Sequence, residues 1–289
     1  MMMSYLFTHG RVDRQFTLRN LPKTWRERII ILCPPDEVKP LMCNWPNVYG
    51  VHGLPIDTLH EKRAWLFRNV KSEKVLLFDD DLRFAVRKKT WPCFKGFGNF
   101  NKEGWEKLKK NDPGYAALER DEKKIAFMFA RLEQALDIYA HVSVNERLMS
   151  QEAGQEFRMN TRCLHVLGYH VPTVLQHCKL GRTEFHVDVD NTIQLMSSGY
   201  ENAVYCWGTK EQMDVNAAGG MNRYRTPAKM RACAEAMCRW HPGIVSISGS
   251  YASNAYQGFT KMRISWKTAI TQGLRKRGVK HGTISGEEK

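Results

Sequence analysis

The 289-residue sequence predicts an α/β fold: a mostly parallel sheet flanked by helices in a single domain. Three observations point there. Short apolar, β-branched runs alternate with amphipathic stretches through the first half, the rhythm of strand–helix–strand units. Hydrophobic residues make up 43% of the chain, enough for a real core. One apolar run, in the stretch VLLFDDDLRF (75–84), ends abruptly in three carboxylates, at the carboxyl edge where α/β sheets bind ligands.

In chain order, residues 4–8 (SYLFT) read as a first strand and 14–21 (RQFTLRNL) as a helix. The β-branched run 28–33 (RIIILC) is a second strand, closed by Pro34 and Pro35, and 47–51 (NVYGV) is a third. Thr58 stands three residues before Glu61, the capping-box spacing, so 57–70 is a helix. The fourth strand is 74–78 (KVLLF), and the Trp-, Gly-, Lys- and Asn-rich 91–120 is loop-like. The longest helical pattern covers 119–140; 141–144 (HVSV) is a short strand, and the polar stretch after it is irregular. Residues 187–200 have helix spacing with Gly199 placed to end it, and 201–207 return as a strand. Thr226 as N-cap and Pro227 at the first helical position open a helix to 240. The chain divides into one domain over 1–270 and a basic, flexible, Gly-rich tail at 271–289.

Lys and Arg number 44 against 30 Asp and Glu, a net charge of +14 that favours a polyanionic partner, nucleic acid first. The eight cysteines form no C-x-x-C pair, which argues against a zinc ribbon and for free thiols in a reducing cytoplasm. No charged-then-apolar leader and no run of membrane-spanning length is expected. No G-x-G-x-x-G or G-x-x-x-x-G-K-[ST] occurs, so neither a dinucleotide fingerprint nor a P-loop is supported.

Three adjacent carboxylates repel, and burying them unpaired is costly. A divalent cation offsets that cost, since Mg²⁺ or Mn²⁺ takes one or two carboxylates plus phosphate oxygens. In extended backbone Asp79 and Asp81 face one side and Asp80 the other, so the stretch is an Asp-x-Asp grip for a metal and a diphosphate, or else an exposed acidic turn. Haloacid-dehalogenase-type phosphatases place such a pair after their first strand and follow it with a hydroxyl residue. Here it follows the fourth strand and precedes Leu82 and Arg83, which looks like metal-dependent GT-A glycosyltransferases.

Five further blocks, in order, resemble the TET-associated glycosyltransferase family, largely of bacteriophages. THGRVDRQFTLRNLP (8–22) is similar to the family's opening strand and its Arg-x-x-x-Gln-x-Thr-Leu helix. Residues 141–169 resemble its central block, and VDVDNTIQLMSSGYEN (187–202) its Glu-Asp-x-Asp block. Residues 217–247, with Gly219-Gly220, Tyr224-Arg225-Thr226 and His241-Pro242-Gly243, resemble its Gly-Gly…Tyr-Arg-Thr…His-Pro-Gly block, and RISWKTA (263–269) its closing strand. The resemblance implies a GT-A-like Rossmann-type fold, with a nucleotide-sugar half at 1–86 and an acceptor half at 87–270. It implies transfer from a nucleotide sugar, a UDP-sugar first, to a hydroxymethylated pyrimidine such as 5-hydroxymethylcytosine in DNA. The setting would be the cytoplasm of an infected host. Two departures stand out: Leu148–Gln151 replace a polar run of the central block, and Val187 stands where a Glu is expected. The other readings are a same-fold transferase acting on polysaccharide or protein, or a non-catalytic DNA-binding relative.

These readings nominate individual residues. Asp79 and Asp81 would hold the metal, with His241 as a further ligand or else a helix-terminal His. Thr8, Arg11, Arg14, Asp79 and Asp80 would meet the donor; the alternatives are a strand-end Thr and a solvated helix face. Gln15 reads as a helix-surface residue. Gly219 and Gly220 would allow close backbone approach or form a plain turn, and Arg225, with Arg223, precedes a helix amino terminus suited to phosphate. Asp188 and Asp190 are either helix caps or carry the general base that takes the acceptor's proton. His141 is read as structural. Residues 88–105 interleave lysines with aromatics, as a lid or a nucleotide-stacking loop would.

Overall fold

The computed structural model describes residues 2–87, 118–146, 155–212, 219–252 and 257–278. The first half holds β1 (Met3–Phe7), α1 (Phe16–Asn20), α2 (Lys23–Arg26), β2 (Ile29–Cys33), α3 (Val38–Asn44), β3 (Gly50–Gly53), α4 (Leu59–Asn69) and β4 (Lys74–Asp79). Next come β5 (Leu82–Arg87), β6 (Leu118–Glu119), α5 (Glu122–Ala135), β7 (His141–Glu146), β8 (Phe157–Met159), β9 (Val166–His170), α6 (Val171–His177), α7 (Val187–Ser197) and β10 (Asn202–Gln212). A 3₁₀ turn at Gly220–Arg223 leads to α8 (Pro227–Trp240), β11 (Val245–Ser250), β12 (Thr260–Ile264) and α9 (Trp266–Lys276).

Ten strands form one sheet in the order β3-β2-β1-β4-β9-β7-β10-β5-β6, with β8 also paired to β10. β2, β3 and β4 run parallel to β1 and its neighbours, and β7 pairs parallel with β10; β5, β8 and β9 run against the rest. The sheet is mostly parallel, as expected. Its apolar strands alternate between two covered faces. Leu6, Ile29, Ile31, Leu76 and Phe78 join one core with Leu18, Trp25 and Phe129. Tyr5, Phe7, Ile30, Leu32, Val75 and Leu77 join the other with Leu66, Phe67 and Val174. Covering both faces is what makes the strands read as unbroken apolar runs.

Several elements differ from expectation. β5, β9 and α6 were not expected, and the stretch read as irregular after 144 contains β8. The helix expected over 119–140 is confined to α5. The closing strand expected at 263–269 stops at Ile264, because Ser265 caps α9 and accepts a hydrogen bond from the Thr268 amide. That helix runs through residue 271, where the flexible tail was expected to begin. The interleaved loop at 88–105 lies outside the described residues.

A third core joins α7 to α8, β11, β12 and α9 through Ile193, Met196, Met237, Val245, Ala269 and Ile270. No described helix is long and apolar enough to cross a membrane, and no disulfide joins the described cysteines.

Candidate active site

β1 and β4 lie side by side and parallel, with Phe7 opposite Asp79, so their carboxyl ends open at the same edge. The residues at these two strand ends face a shared cleft: Thr8, His9 and Arg11 after β1, and Asp79, Asp80 and Asp81 at the end of β4. Lys62 of α4, Gln212 at the end of β10, and the stretch from Gly220 to Arg225 complete its walls. The cleft encloses ≈ 640 Å³, its open mouth included.

Each aspartate has a different surrounding. Asp79 accepts from Arg63 Nη2 at 3.2 Å and from His165 Nδ1 at 2.8 Å. Asp80 accepts from Thr8 Oγ1 and from Arg11 Nη1, both at 2.6 Å. Asp81 Oδ2 accepts from Gln212 Nε2 at 3.0 Å and from Arg11 Nη1 at 3.3 Å. Asp81 Oδ1 is buried and has no hydrogen-bond partner. A buried carboxylate oxygen left open is uncommon, and it invites a ligand.

The electrostatics agree with that division. Burial pushes the Asp80 carboxyl up to about 6, with Asp81 adding to the rise and Arg11 and Thr8 opposing it. Burial and then the neighbouring Asp79 charge also raise Asp81. Burial would raise Asp79 too, but His165 and Arg63 outweigh it and hold it low. Asp80 is thus paired on both oxygens while Asp81 keeps one buried oxygen without a partner. Divalent magnesium or manganese fits such a place, since each prefers a few carboxylate oxygens completed by water and phosphate. Among the described residues no group of three or more His, Cys, Asp or Glu side chains is arranged to hold a metal ion, so water and phosphate would have to complete its coordination.

The helix after β1 holds this turn. Thr17 Oγ1 donates to the Asp79 carbonyl and accepts from the Leu82 amide at 2.9 Å, while the Thr17 amide donates to the Asp80 carbonyl. Gln15 is fully buried. Its Nε2 donates to Thr8 Oγ1 at 2.8 Å and to the Arg11 carbonyl at 2.9 Å, fixing both cleft residues. The surface role expected for Gln15 is overturned by this burial. Gly219 (φ +95) packs on the loop after β1; a Cβ there would lie 2.8 Å from the His9 carbonyl oxygen. The Gly220 amide donates to that same carbonyl. The glycine pair thus admits the protein's own backbone, and Gly220 also faces the cleft.

A model of the TET-associated glycosyltransferase family matches residues 2–220, which include every wall of the cleft up to Gly220. The chain belongs to the TET-associated glycosyltransferase family. No curated protein matched. Solved structures that the chain resembles include TarS 1–349 of S. aureus in complex with UDP-GlcNAc, at 10% identity and TM-score 0.45, covering 82% of this chain and 67% of that one. The uncomplexed TarS 1–349 gives TM-score 0.43 at 10% identity, with 82% and 66% covered, so this chain spans less than two thirds of it. HddC of Yersinia pseudotuberculosis gives 0.42 at 9% identity, with 82% and 100% covered.

The remaining expected residues scatter. Arg225 lines the cleft; Arg14 is exposed and is not among the lining residues. Asp190 is buried and bonded to Arg182 through both oxygens (2.9 and 2.6 Å), to His241 Nε2 at 2.6 Å and to Gln194 at 3.1 Å. Asp188, Asp190 and His241 are all outside the cleft lining; His241 is engaged by Asp190 and Arg182 rather than brought to Asp79 and Asp81. Asp188 sits in the first turn of α7, half-buried, with Oδ1 accepting from the Val189 amide. The preceding His186 is in the left-handed region (φ +61). Burial first of all lowers the pKa of that imidazole, with Asp188 opposing the shift and Arg225 adding to it. His141 is buried within β7, bonded to the Gly168 carbonyl and Thr192, and stacked on Tyr169 at 4.1 Å.

Sequence reasoning passed over Lys62, Arg63, His165 and Gln212. For the first two a signal existed. Lys62 and Arg63 stand one turn before Leu66 and Phe67, on the buried stripe of α4, where a cation needs a partner. Lys62 donates to the Thr8 carbonyl, and burial lowers its pKa.

Proposed function

We propose that this glycosyltransferase uses a nucleotide-sugar donor, a UDP-sugar first, with Mn²⁺ or Mg²⁺, and glycosylates the hydroxyl of a hydroxymethylated pyrimidine in DNA, 5-hydroxymethylcytosine first. The working setting is the cytoplasm of a phage-infected bacterium. The observation that carries this reading is the open, buried Asp81 Oδ1 beside Asp79 and Asp80 in the cleft after β1 and β4. Asp81, with Asp80 beside it, would hold the cation. When bound, that ion neutralises charge on the departing diphosphate.

The chain's own residues supply the rest. Arg11 and Arg225 line the cleft, a guanidinium being the side chain that holds phosphate oxygens best, and Lys62 lines it as well. Gln15 and Thr8 keep Arg11 and Asp80 in register. The acceptor oxygen forms its bond to the anomeric carbon as the bond from that carbon to the diphosphate oxygen breaks, and the acceptor's proton needs a base. With Asp190 fully engaged by Arg182, His241 and Gln194, Asp188 is the carboxylate assigned to it.

The test incubates the protein with duplexes containing 5-hydroxymethylcytosine, a panel of nucleotide sugars and Mn²⁺ or EDTA, then digests the DNA for nucleoside mass spectrometry. A hexose- or pentose-sized mass gain that EDTA suppresses is expected. Transfer to a polysaccharide or protein hydroxyl, with none to any modified duplex, would overturn the DNA reading. Asp81→Asn is expected to lower transfer by about 10² or more and to erase Mn²⁺-dependent thermal stabilisation by the donor. The metal-free melting temperature should not fall, because the change removes one of three crowded carboxylates.

A further inference from the structure

The charge of the chain is unevenly placed. Residues 221–289, beyond the family match, carry thirteen Lys and Arg against three Glu, ten of the net +14. From 236 to 286 there is no Asp or Glu at all. Within that stretch the described structure forms a two-stranded antiparallel ribbon, β11 and β12, not hydrogen-bonded to the main sheet.

One end of the ribbon is anchored. Val245 pairs with Ile264, both join the third core, and the Ser265 amide donates to the Ile244 carbonyl. The rest of β11, from Ser246 to Ser250, is exposed. Lys261 and Arg263 alternate outward on β12, opposite Gly249 and Ser246, about 7 Å apart along the strand. Neither has an ion-pair partner among the described residues, whereas Arg231 of α8 is paired with Glu235. The basic end of α9 is already used: Lys276 and Arg277 donate to the Ser197 and Gly199 carbonyls at the end of α7. The register shift between Ile247 and Gly249 bends the ribbon; Ser246 and Ser250 add hydroxyls along its exposed strand, while Ser248 Oγ donates to the Lys261 carbonyl across it.

We infer that the β11–β12 ribbon is a docking arm for duplex DNA, gripping the phosphate backbone through Lys261 and Arg263, independent of base sequence. A two-stranded ribbon has the width to enter a major groove, and outward cations with short hydroxyls are what phosphates accept. The inference rests on DNA as the acceptor and assigns where that acceptor is held. The arm supplies position and leaves chemistry to the cleft.

The test measures binding of the full chain to an unmodified duplex by fluorescence anisotropy across a salt series. For Lys261→Gln/Arg263→Gln the slope of log K against log salt should flatten by about 1.8, from about 0.9 per lost phosphate contact. Affinity at low salt should fall on the order of tenfold. A Lys23→Gln/Lys39→Gln control, at exposed sites outside this unit, should keep both. Melting temperature and donor-induced stabilisation should match the parent, which separates docking from folding and from the cleft. An unchanged slope in the ribbon variant overturns the arm even if modified DNA is glycosylated. A flattened slope without any glycosylation of modified DNA keeps the arm and removes the acceptor reading. An equal loss on anionic vesicles, with duplex binding intact, assigns the ribbon to membranes and overturns it as well.

Discussion

Three aspartates in a row look equivalent on paper, and the folded chain makes them different. Asp79 is held by Arg63 and His165, Asp80 by Thr8 and Arg11, and Asp81 keeps an oxygen open. The strand alternation that puts Asp79 and Asp81 on one side does not survive the turn after β4, where Asp80 and Asp81 leave the strand. The pair Asp188 and Asp190 divides in the same way. Asp190 closes a buried cluster with Arg182 and His241, and removing one member of such a cluster leaves unpaired charge. Asp190→Ala is therefore expected to lose about 3–5 kcal/mol in urea denaturation, with the folded fraction still active. Asp188→Asn should leave stability nearly unchanged while kcat drops by about 10²–10⁴. The opposite pattern, a stable and inactive Asp190 variant, would exchange the two roles.

At the scale of elements, the strand cores were legible and the seams between elements were not. Apolar runs identify β1, β2 and β4 because burial on both faces leaves an unbroken hydrophobic signal. β9 escaped notice because Val166–His170 is short and interrupted by Gly168, whose place is fixed by a distant neighbour: a Cβ there would lie 2.5 Å from Val142 Cγ2. α1 is only five residues long, and its significance lies in bonds that no periodicity records: from Gln15 at its cap back to Thr8 and Arg11, and from Thr17 to the distant Asp79. Gln15→Ala should cost about 1–3 kcal/mol, since it leaves buried polar groups unpaired. It should also raise the donor's KM, because Thr8 and Arg11 lose their tether. A loss of stability with KM unchanged would make Gln15 structural only. The α7–α9 seam offers a sharper case. A Cβ on Gly273 would stand 2.0 Å from the Met196 carbonyl oxygen, so the two helices touch backbone to backbone. Gly273→Ala should separate them at a cost of about 1–3 kcal/mol, read as a lower melting temperature.

For the whole molecule, net charge pointed to a polyanionic partner as a total, whereas its position along the sequence puts most of it beyond the family's matched region. Global stability carries a second signal that composition cannot hold, from a histidine at the centre of the sheet. His141 is entirely buried between β9 and α7, bonded to the Gly168 carbonyl and Thr192 and stacked on Tyr169. Burial lowers its pKa to about 4, opposed by the Gly168 carbonyl and Asp188. In the unfolded chain the same imidazole titrates near its ordinary value of about 6.5. Between those limits the unfolded state binds a proton that the folded state refuses. Stability from this group is thus complete above pH 6.5 and is lost as pH falls toward 4. The difference corresponds to about 3 kcal/mol across the window, to order of magnitude. Urea midpoints measured from pH 7 to 4 should decline for the parent chain, and a His141→Gln variant, weaker at pH 7, should decline less steeply. Parallel curves for the two proteins would mean that the buried imidazole takes up its proton without unfolding, and that the centre of the sheet admits a charge that its packing should refuse.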